Sequence, residues 1–480
     1  MEIRCHQFKK RSREALSDTH LQKALKNVET RLAADRNAAF AALENSEALR
    51  DRAHRIKQNT LDRLDEHLVR LEEKITHLGG TVHWADTAGR ARAIIESLAI
   101  NRGVRSVVKG KSMVTEEISL NEGLIQRGIE VSETDLGEFI IQLAGEPPSH
   151  LVGPAIHKTK EQVSELFAQK LGAKGMEDPG EMTLFARETL RHRFLDADMG
   201  ITGANFAVAE TGTIVLFENE GNIRLTTTLP KIHVAVMGIE KVVPTLDDLG
   251  VLMKLLARSC TGQKLSSYVS MISGPKGGGE GDGPEEFHLV ILDNGRSRIL
   301  EDDDLREILY CIRCGACLNF CPVYMKIGGH AYGWVYSGPI GSILTPQLIN
   351  KKQAYLLPYA STLCGACAEV CPVNINHPKV LVALRKKYME DPQWENASPP
   401  GEGLLFALAA GIMGNKRLYE GASGLARLIR KTFPRKGRAR HLLQTLDPWG
   451  RSQQVEALSR ETFRKQWREL SKSGKGSRHG

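Results

Sequence analysis

The sequence of 480 residues lacks long hydrophobic runs. Its longest apolar run, Leu404–Met413, is ten residues long and is interrupted by Gly411, whereas a helix that spans a membrane needs roughly 20 apolar residues. The first residues, Met1–His6, contain no apolar segment of the kind found in a signal peptide. These absences argue against a membrane-spanning or exported chain and predict a cytoplasmic protein.

Motifs that bind nucleotides are absent as well. There is no Gly-x-Gly-x-x-Gly segment, and the glycine-rich stretch from Pro275 to Pro284 lacks the Lys-Ser/Thr ending of a phosphate-binding loop. No flavin site and no group of histidines and arginines can be assigned to hydride removal. The chain alone is therefore poorly equipped to begin a two-electron oxidation.

Cysteine is scarce, with nine residues in all, but seven of them are clustered. They form a first run, Cys311, Cys314, Cys317 and Cys321 followed by Pro322, and a second run, Cys364, Cys367 and Cys371 followed by Pro372. Thiolates spaced in this way surround iron–sulfur clusters, and the cysteine before proline binds the other cluster in two-cluster ferredoxins. Structural zinc usually takes two separated pairs of ligands, and an odd number of cysteines in a chain without an export signal argues against disulfides. The two runs predict iron–sulfur clusters.

The second run lacks one cysteine, because Ser361 stands where the first cysteine of the run would be. Crossed ligation gives a four-cysteine group, Cys311, Cys314, Cys317 and Cys371, and a three-cysteine group, Cys321, Cys364 and Cys367. The cofactors expected are two [4Fe-4S] clusters. In the second, the fourth iron takes a ligand other than cysteine (Ser361, water or a partner residue), or that cluster is a [3Fe-4S] cluster. A vestigial second run is disfavoured, because both runs repeat Cys-Gly-Ala-Cys and Cys-Pro-Val.

The chain divides into four predicted parts. Residues 1–75 form an N-terminal helical region, since Leu61, Leu64, Leu68 and Leu71 recur at helical spacing. Residues 76–300 alternate short strands with helices, which predicts an α/β domain with a largely parallel sheet. Residues 301–385 contain the cysteines in a two-cluster α-helical ferredoxin domain, entered by a helix over residues 300–309. Residues 386–480 form a basic helical C-terminal domain.

Positive charge is concentrated near the C-terminus. From Lys416 onward there are 17 lysines and arginines against five aspartates and glutamates, although the whole chain carries a net charge of only +8. Such a region suits an acidic partner or an anionic membrane face, or it is a solvated helical surface. Because it carries no recognisable nucleic-acid motif, no nucleic-acid partner is expected.

Segments outside the cysteine runs carry a resemblance to a known family. They are Lys111–Glu117, Glu133–Glu138, Pro148–His150 and Ala209–Thr213, with the Asp293–Arg296 turn before the clusters. Together with both cysteine runs, they resemble the lactate-utilization protein B family over nearly the whole chain. Members of this family are the iron–sulfur subunits of a three-protein bacterial system that oxidises L-lactate.

The resemblance implies a fold, a function and partners. The fold is a LUD domain, which is an α/β domain like those of NagB, RpiA and the CoA-transferases, followed by an α-helical ferredoxin domain, with helical N- and C-terminal regions. The function is electron transfer during oxidation of L-lactate to pyruvate, which allows growth on lactate. Lactate-utilization subunits A and C are the companions, and the same seven cysteines bind the clusters. The electron acceptor is not specified, and no catalytic residue is assigned.

The alternative is an enzyme whose LUD domain binds and transforms a small anionic substrate, with the clusters as an internal relay. Five residues near a predicted helix start suit an anion pocket, although capping also explains the glutamates: Lys109, Lys111, Ser112, Glu116 and Glu117. By analogy of fold, Glu210 is a candidate nucleophile, but a partner within its turn is the simpler interpretation. His330, between the two runs, is a candidate ligand for an open iron, although a structural histidine is again the simpler interpretation.

Overall fold

A computed structural model describes residues 2–173, 175–279, 281–349, 351–390, 402–432 and 463–473. The chain forms two compact units, Met1–Ala397 and Ser398–Gly480. Of the C-terminal region that the sequence predicts to be helical, residues 391–401, 433–462 and 474–480 lie outside the described residues.

The N-terminal region is helical, in agreement with its leucine spacing. Its helices are α1 (Phe8–Ser17), α2 (Thr19–Ala41), α3 (Ser46–Asp62) and α4 (Leu64–His77). Asp18 caps α2, because its carboxylate accepts hydrogen bonds from the His20 and Leu21 amides. The apolar side of α4 is buried through Leu64, Leu68, Leu71 and Ile75, which lie on one face of a helix.

The described residues of the first unit contain ten strands in two sheets. In chain order they are β1 (Thr81–Ala85), β2 (Ser106–Lys109), β3 (Glu130–Glu133), β4 (Met199–Gly203), β5 (Phe206–Val208), β6 (Thr213–Glu218), β7 (Ile232–Gly238), β8 (Val242–Val243), β9 (Tyr268–Ile272) and β10 (Glu286–Leu292). The larger sheet has the order β1-β10-β7-β4-β2-β3, and every neighbouring pair in it is parallel. The parallel sheet expected from the sequence is therefore present.

Nine helices lie between or after these strands in the described residues of the α/β part. They are α5 (Ala88–Asn101), α6 (Met113–Glu117), α7 (Leu120–Gln126), α8 (Leu136–Ala144), α9 (Lys160–Leu171), α10 (Pro179–Leu195), α11 (Asn222–Thr228), α12 (Leu246–Thr261) and α13 (Arg296–Leu300). Alternate residues of β7 face opposite sides, since successive strand side chains point to opposite faces. Val234 and Val236 pack with α5 and α7, whereas Ala235 and Met237 belong to the core shared with α3 and α4. The N-terminal helices therefore cover one face of the sheet.

A second, smaller sheet was not expected from the sequence. Its order is β8-β5-β6-β9, with β5 antiparallel to β6 and parallel to β8, and with β9 antiparallel to β6. Two of its strands have only three and two residues. Such short strands carry too little alternation to be recognised by pattern.

The cysteine-containing part is built from short helices. They are α14 (Ala316–Asn319), α15 (Tyr324–Ile327), α16 (Gly338–Leu348), α17 (Lys351–Ala354), α18 (Ala366–Glu369) and α19 (His377–Glu390). The helix expected over residues 300–309 is wrong: α13 ends at Leu300, and a 3₁₀ helix covers Arg306–Tyr310. The acidic residues between them form a turn instead, because Asp302 and Asp304 both pair with Lys387 of α19.

The second unit contains three described helices, α20 (Glu402–Gly414), α21 (Lys416–Thr432) and α22 (Phe463–Ser473). The apolar side chains of α20 are exposed, among them Leu404, Leu405 and Phe406. Within the described ranges, no helix combines the length and the apolar character needed to cross a membrane.

A buried network of charges joins the α/β part to the first cysteine run. Arg296 donates to both carboxylate oxygens of Glu117, at 2.9 and 2.7 Å, and to Glu240 at 2.8 Å. Glu240 also pairs with Arg313 at 3.3 Å, and Glu117 accepts from the Tyr336 hydroxyl at 2.7 Å. We call these five residues the Arg296 network. Its two arginines and two glutamates balance each other's charge, and their side chains are almost entirely buried.

We expect Arg296→Leu to lower the free energy of unfolding by about 3–5 kcal/mol, because it leaves two buried carboxylates without their main counter-charge. Urea unfolding followed by circular dichroism measures this loss. Arg298→Leu is the matched control, since Arg298 lies on the same short helix and is exposed. Equal stability of the two variants would contradict a stabilising role of the Arg296 network.

Candidate iron–sulfur centres and an adjoining cavity

The two cysteine runs begin with the same turn of the backbone. Arg313 and Leu363 both have positive φ, at 61° and 56°, which is uncommon for residues other than glycine. Two positions later, Gly315 and Gly365 have φ of 79° and 88°. The internal repeat that the sequence contains is therefore also a repeat of conformation.

A pair of equivalent hydrogen bonds places Ser361 in this repeat. The Arg313 amide donates to the Cys311 Sγ at 3.4 Å, and the Leu363 amide donates to the Ser361 Oγ at 3.1 Å. The serine hydroxyl thus takes, in the second turn, the place that the Cys311 sulfur takes in the first. The register deduced from the sequence agrees with this geometry.

The structure brings the four-cysteine group together. Its members, Cys311, Cys314, Cys317 and Cys371, line one small cavity, which Ile340 and His377 help to enclose. Burial, followed by the neighbouring thiols, raises the pKa of Cys314 and Cys317 well above the usual range. Burial also raises the pKa of Cys371 to about 12. Four adjacent cysteines, three of them buried, become thiolates only beside a cationic centre that neutralises their charge, which an iron cluster supplies.

The three-cysteine group also converges, but it is more open. Burial raises the pKa of Cys367 to about 12, with Cys321 and Cys364 as its charged neighbours. Cys364 itself is exposed, and a hydrogen bond from the Ala366 amide lowers its pKa. Solvent therefore reaches the three-cysteine group at Cys364, whereas three members of the four-cysteine group are buried.

The distances between the cysteine sulfurs distinguish a site for an iron cluster from a site for a single zinc ion. With a Zn–S distance of about 2.3 Å, tetrahedral zinc brings its sulfurs to within roughly 4 Å of one another. Among the described residues, no three cysteine sulfurs lie within 4.8 Å of one another. The cysteines of both groups therefore suit a multi-iron cluster better than a zinc ion.

Two arginines of the N-terminal helices hold the second cysteine run in place. Arg50 of α3 donates to the carbonyl oxygens of Cys371 at 2.9 Å and Glu369 at 2.6 Å. Arg36 of α2 donates to the Val370 carbonyl at 2.9 Å. Both arginines are buried. Sequence reasoning missed them, because an arginine in a charged helix has the same pattern whether it faces solvent or protein.

A larger cavity of about 310 Å³ lies beside the four-cysteine group, and we call it the α/β cavity. Lys111 and Ser112 line it after β2, and Lys241 lines it after β7. Arg313 and Cys314 of the first cysteine run complete its wall. Burial, together with the nearby Arg313 guanidinium, lowers the pKa of Lys241 to about 7. Sequence reasoning missed Lys241, although a residue just after a parallel strand is a usual site residue.

The other predicted pocket residues have structural partners. Lys109 is buried and pairs with Glu133 at 2.8 Å and with Glu116 at 3.1 Å. Glu117 belongs to the Arg296 network. Of the five candidates for an anion pocket, only Lys111 and Ser112 therefore line the cavity.

Glu210 and His330 also lie away from the cavity. The Glu210 carboxylate accepts a hydrogen bond from the Leu246 amide, the first residue of α12, at 3.3 Å. The His330 Nε2 lies 2.8 Å from the Pro147 carbonyl oxygen, and its ring packs against His157. The simpler interpretation of each residue, as a structural side chain, fits these contacts.

Comparison with known proteins gives a consistent assignment. The profile of the LUD domain matches residues 68–292, and that of the 4Fe-4S dicluster domain matches residues 307–375. Over 474 residues, the chain is 43% identical to proteins named lactate utilization protein B in Bacillus thuringiensis (strain Al Hakam) and Bacillus cereus (strain AH187), and 99% of each chain is covered.

A crystal structure of a DUF162 family protein from Deinococcus radiodurans also matches, with 16% identity and a TM-score of 0.25. That match covers 48% of this chain and 98% of the other. So low a score adds nothing about the fold. The similarity to the Bacillus proteins extends through the N-terminal helices, the LUD domain, both cysteine runs and the C-terminal region. The chain therefore belongs to the lactate utilization protein B family.

Proposed function

We propose that this chain is the iron–sulfur electron-transfer subunit of a system that oxidises L-lactate to pyruvate. The observation that carries the proposal is the convergence of seven cysteines in two groups, in a chain 43% identical to proteins named lactate utilization protein B. Lactate utilization subunits A and C are the proposed companions. We place the chain in the cytoplasm, where thiols stay reduced and can bind iron.

The ligands follow the crossed pattern. The four-cysteine group holds one [4Fe-4S] cluster, and the three-cysteine group holds a second one, whose remaining iron is bound through the Ser361 hydroxyl. Iron–sulfur clusters supply one-electron transfer. The chain's own residues bury most of the first centre, expose the second at Cys364, and hold the second cysteine run through Arg36 and Arg50. This arrangement suits exchange of electrons with a partner at the exposed second centre, while the first centre lies inside the protein.

A direct test compares the chain alone with the chain plus its companions. Anaerobically reconstituted protein is mixed with L-lactate, and cluster reduction is followed by EPR. We expect reduction only when subunits A and C are present, because removal of two electrons and protons needs a catalytic partner. Lactate-dependent reduction of the isolated chain would favour the alternative, an enzyme whose LUD domain transforms the substrate.

Crossed ligation predicts which substitutions damage the same centre. Cys311→Ser and Cys371→Ser should each perturb the cluster of the four-cysteine group and leave the other intact, since both sulfurs face the same cavity. EPR with iron and sulfide analysis measures this. Cys367→Ser is the matched control and should perturb the other cluster. If Cys371→Ser removes the same cluster as Cys367→Ser, the crossed assignment is wrong.

The serine ligand predicts the response of the second centre to air. An iron bound by oxygen is held less firmly than one bound by thiolate, so brief oxidation should yield a three-iron EPR signal from this cluster alone. Ser361→Cys should suppress that signal and Ser361→Ala should increase it, because the Oγ lies where the Cys311 sulfur lies in the first turn. Identical lability in all three proteins would mean that Ser361 does not bind iron.

The second unit is the proposed contact with a companion subunit. The described helix α20 exposes apolar side chains, and exposed apolar surface of this kind marks interaction sites. The charge that follows, 17 basic against five acidic residues from Lys416 onward, suits an acidic partner.

We expect removal of residues 416–480 to weaken capture of the companions and to leave the cluster content unchanged, because every cysteine is retained. Pull-down with iron analysis measures both quantities. Co-sedimentation with anionic vesicles is run in parallel. If the truncation weakens only the vesicle contact, the basic region binds a membrane surface rather than a subunit.

A further inference from the structure

Two histidines and a glutamate meet where the α/β part packs against the cysteine-containing part. Glu146 and His157 lie in the segment that joins α8 to α9, and His330 lies between the two cysteine runs. Each of the three residues offers one ligand atom, and these atoms all lie within 4.8 Å of one another. In the part of the chain that the structure describes, no other three histidines, cysteines, aspartates or glutamates are grouped so closely.

The backbone brings the two segments into contact. Gly329 lies so close to Ser149 that a Cβ at position 329 would overlap the Ser149 carbonyl oxygen. The same oxygen accepts a hydrogen bond from the Tyr324 hydroxyl at 2.6 Å. His330 follows directly, and its ring centroid lies 4.5 Å from that of His157. The two rings are therefore held together by the packing of the main chain.

Hydrogen bonds leave one ring nitrogen of each histidine available to a ligand. The Ser149 hydroxyl donates to the Pro154 carbonyl at 2.9 Å, so it accepts from the His157 Nδ1, which lies 2.8 Å away. The His330 Nε2 donates to the Pro147 carbonyl at 2.8 Å, because a carbonyl oxygen only accepts. The remaining nitrogens are His157 Nε2 and His330 Nδ1. Histidines that bind metals usually donate their other N–H in this way.

Glu146 supplies a carboxylate to the same group. Its Oε2 lies 2.7 Å from the His157 Nε2, whereas its Oε1 pairs with Lys158. The hydrogen bond with His157 lowers the pKa of Glu146 to about 2, and burial lowers the pKa of His330 to about 4. At neutral pH the carboxylate is therefore charged and the His330 ring is neutral, which are the forms that bind metal ions.

We propose that Glu146, His157 and His330 bind a divalent transition-metal ion such as zinc. Two imidazoles and one carboxylate suit zinc, which takes these ligands at about 2.0–2.2 Å and leaves its fourth position to water. The Glu146 side chain is 33% exposed, so an ion reaches the site from solvent. The bound ion replaces the proton between Glu146 and His157 and connects the α/β part to the segment between the cysteine runs.

The test uses the full-length chain with its clusters reconstituted anaerobically, so that iron occupies the cysteines. Zinc is added alone, and its binding is measured by equilibrium dialysis with elemental analysis of zinc, iron and sulfide. We expect one zinc ion per chain and an unchanged cluster content. The X-ray absorption spectrum of the zinc should show nitrogen and oxygen at about 2.0–2.2 Å and no sulfur at about 2.3 Å, which distinguishes this site from zinc captured by cysteines.

Substitutions change the affinity in both directions. His157→Gln and His330→Gln should each weaken zinc binding about tenfold or more, because each removes a ligand. His77→Gln is the matched control: His77 is exposed at the end of α4, and its loss should leave the affinity unchanged. Lys158→Gln should strengthen binding about threefold or more, since it removes a positive charge that competes with the ion for Glu146. Misfolding does not produce a gain of affinity.

The inference is overturned if no zinc binds to the chain with intact clusters, or if sulfur is among the zinc ligands. It is also overturned if His157→Gln and His330→Gln bind zinc as tightly as the unaltered chain, or if Lys158→Gln does not strengthen binding. Zinc binding is measured without lactate and without companion subunits, so the result is independent of the proposed function.

Discussion

The Arg296 network is the constraint on which the arrangement of this protein depends. Arg296 lies directly after the last strand of the parallel sheet, and its guanidinium is held by two carboxylates from other elements. Through Glu240 the network reaches Arg313, which separates two cysteines of the first run. The position of the first cluster loop is therefore set by ion pairs within the α/β part. Because burying each charge is costly, the pairs mainly offset that cost, and loss of one partner would leave the others uncompensated.

The same network requires glycine at position 238. This residue ends β7, and a Cβ there would overlap the Glu240 carboxylate and the Arg296 guanidinium. Its φ of −75° is ordinary for any residue. The requirement is therefore for space rather than for an unusual backbone. The central strand β7 therefore ends in a residue without a side chain, which leaves room for Glu240 and Arg296 to pair beside it.

Much of the fold could be predicted because it depends on local pattern. The burial of Leu64, Leu68 and Leu71 along α4 follows from their spacing, and the parallel sheet follows from alternating strands and helices. The register of Ser361 followed from counting residues in a repeat. The prediction of a helix over residues 300–309 was wrong because it also relied on local pattern. The pairing of Asp302 with Lys387 spans 85 positions of sequence and leaves no local signal.

The wall of the α/β cavity could not be predicted for the same reason. Lys111 and Ser112 were candidates because they lie near a predicted helix start, but Lys241 and Arg313 meet them only in three dimensions. Arg36 and Arg50 present the same difficulty. Their pattern is that of any charged helix, and only the folded chain places them against the carbonyl oxygens of the second run.

Arg313 is shared by two parts of the protein. It lies between two cysteines of the first centre and also forms part of the wall of the neighbouring cavity. Its pairing with Glu240 holds the loop from the side of the α/β part. A substitution at this one position therefore alters the surroundings of the cysteines and the wall of the cavity together, so the two places cannot be changed independently through this residue.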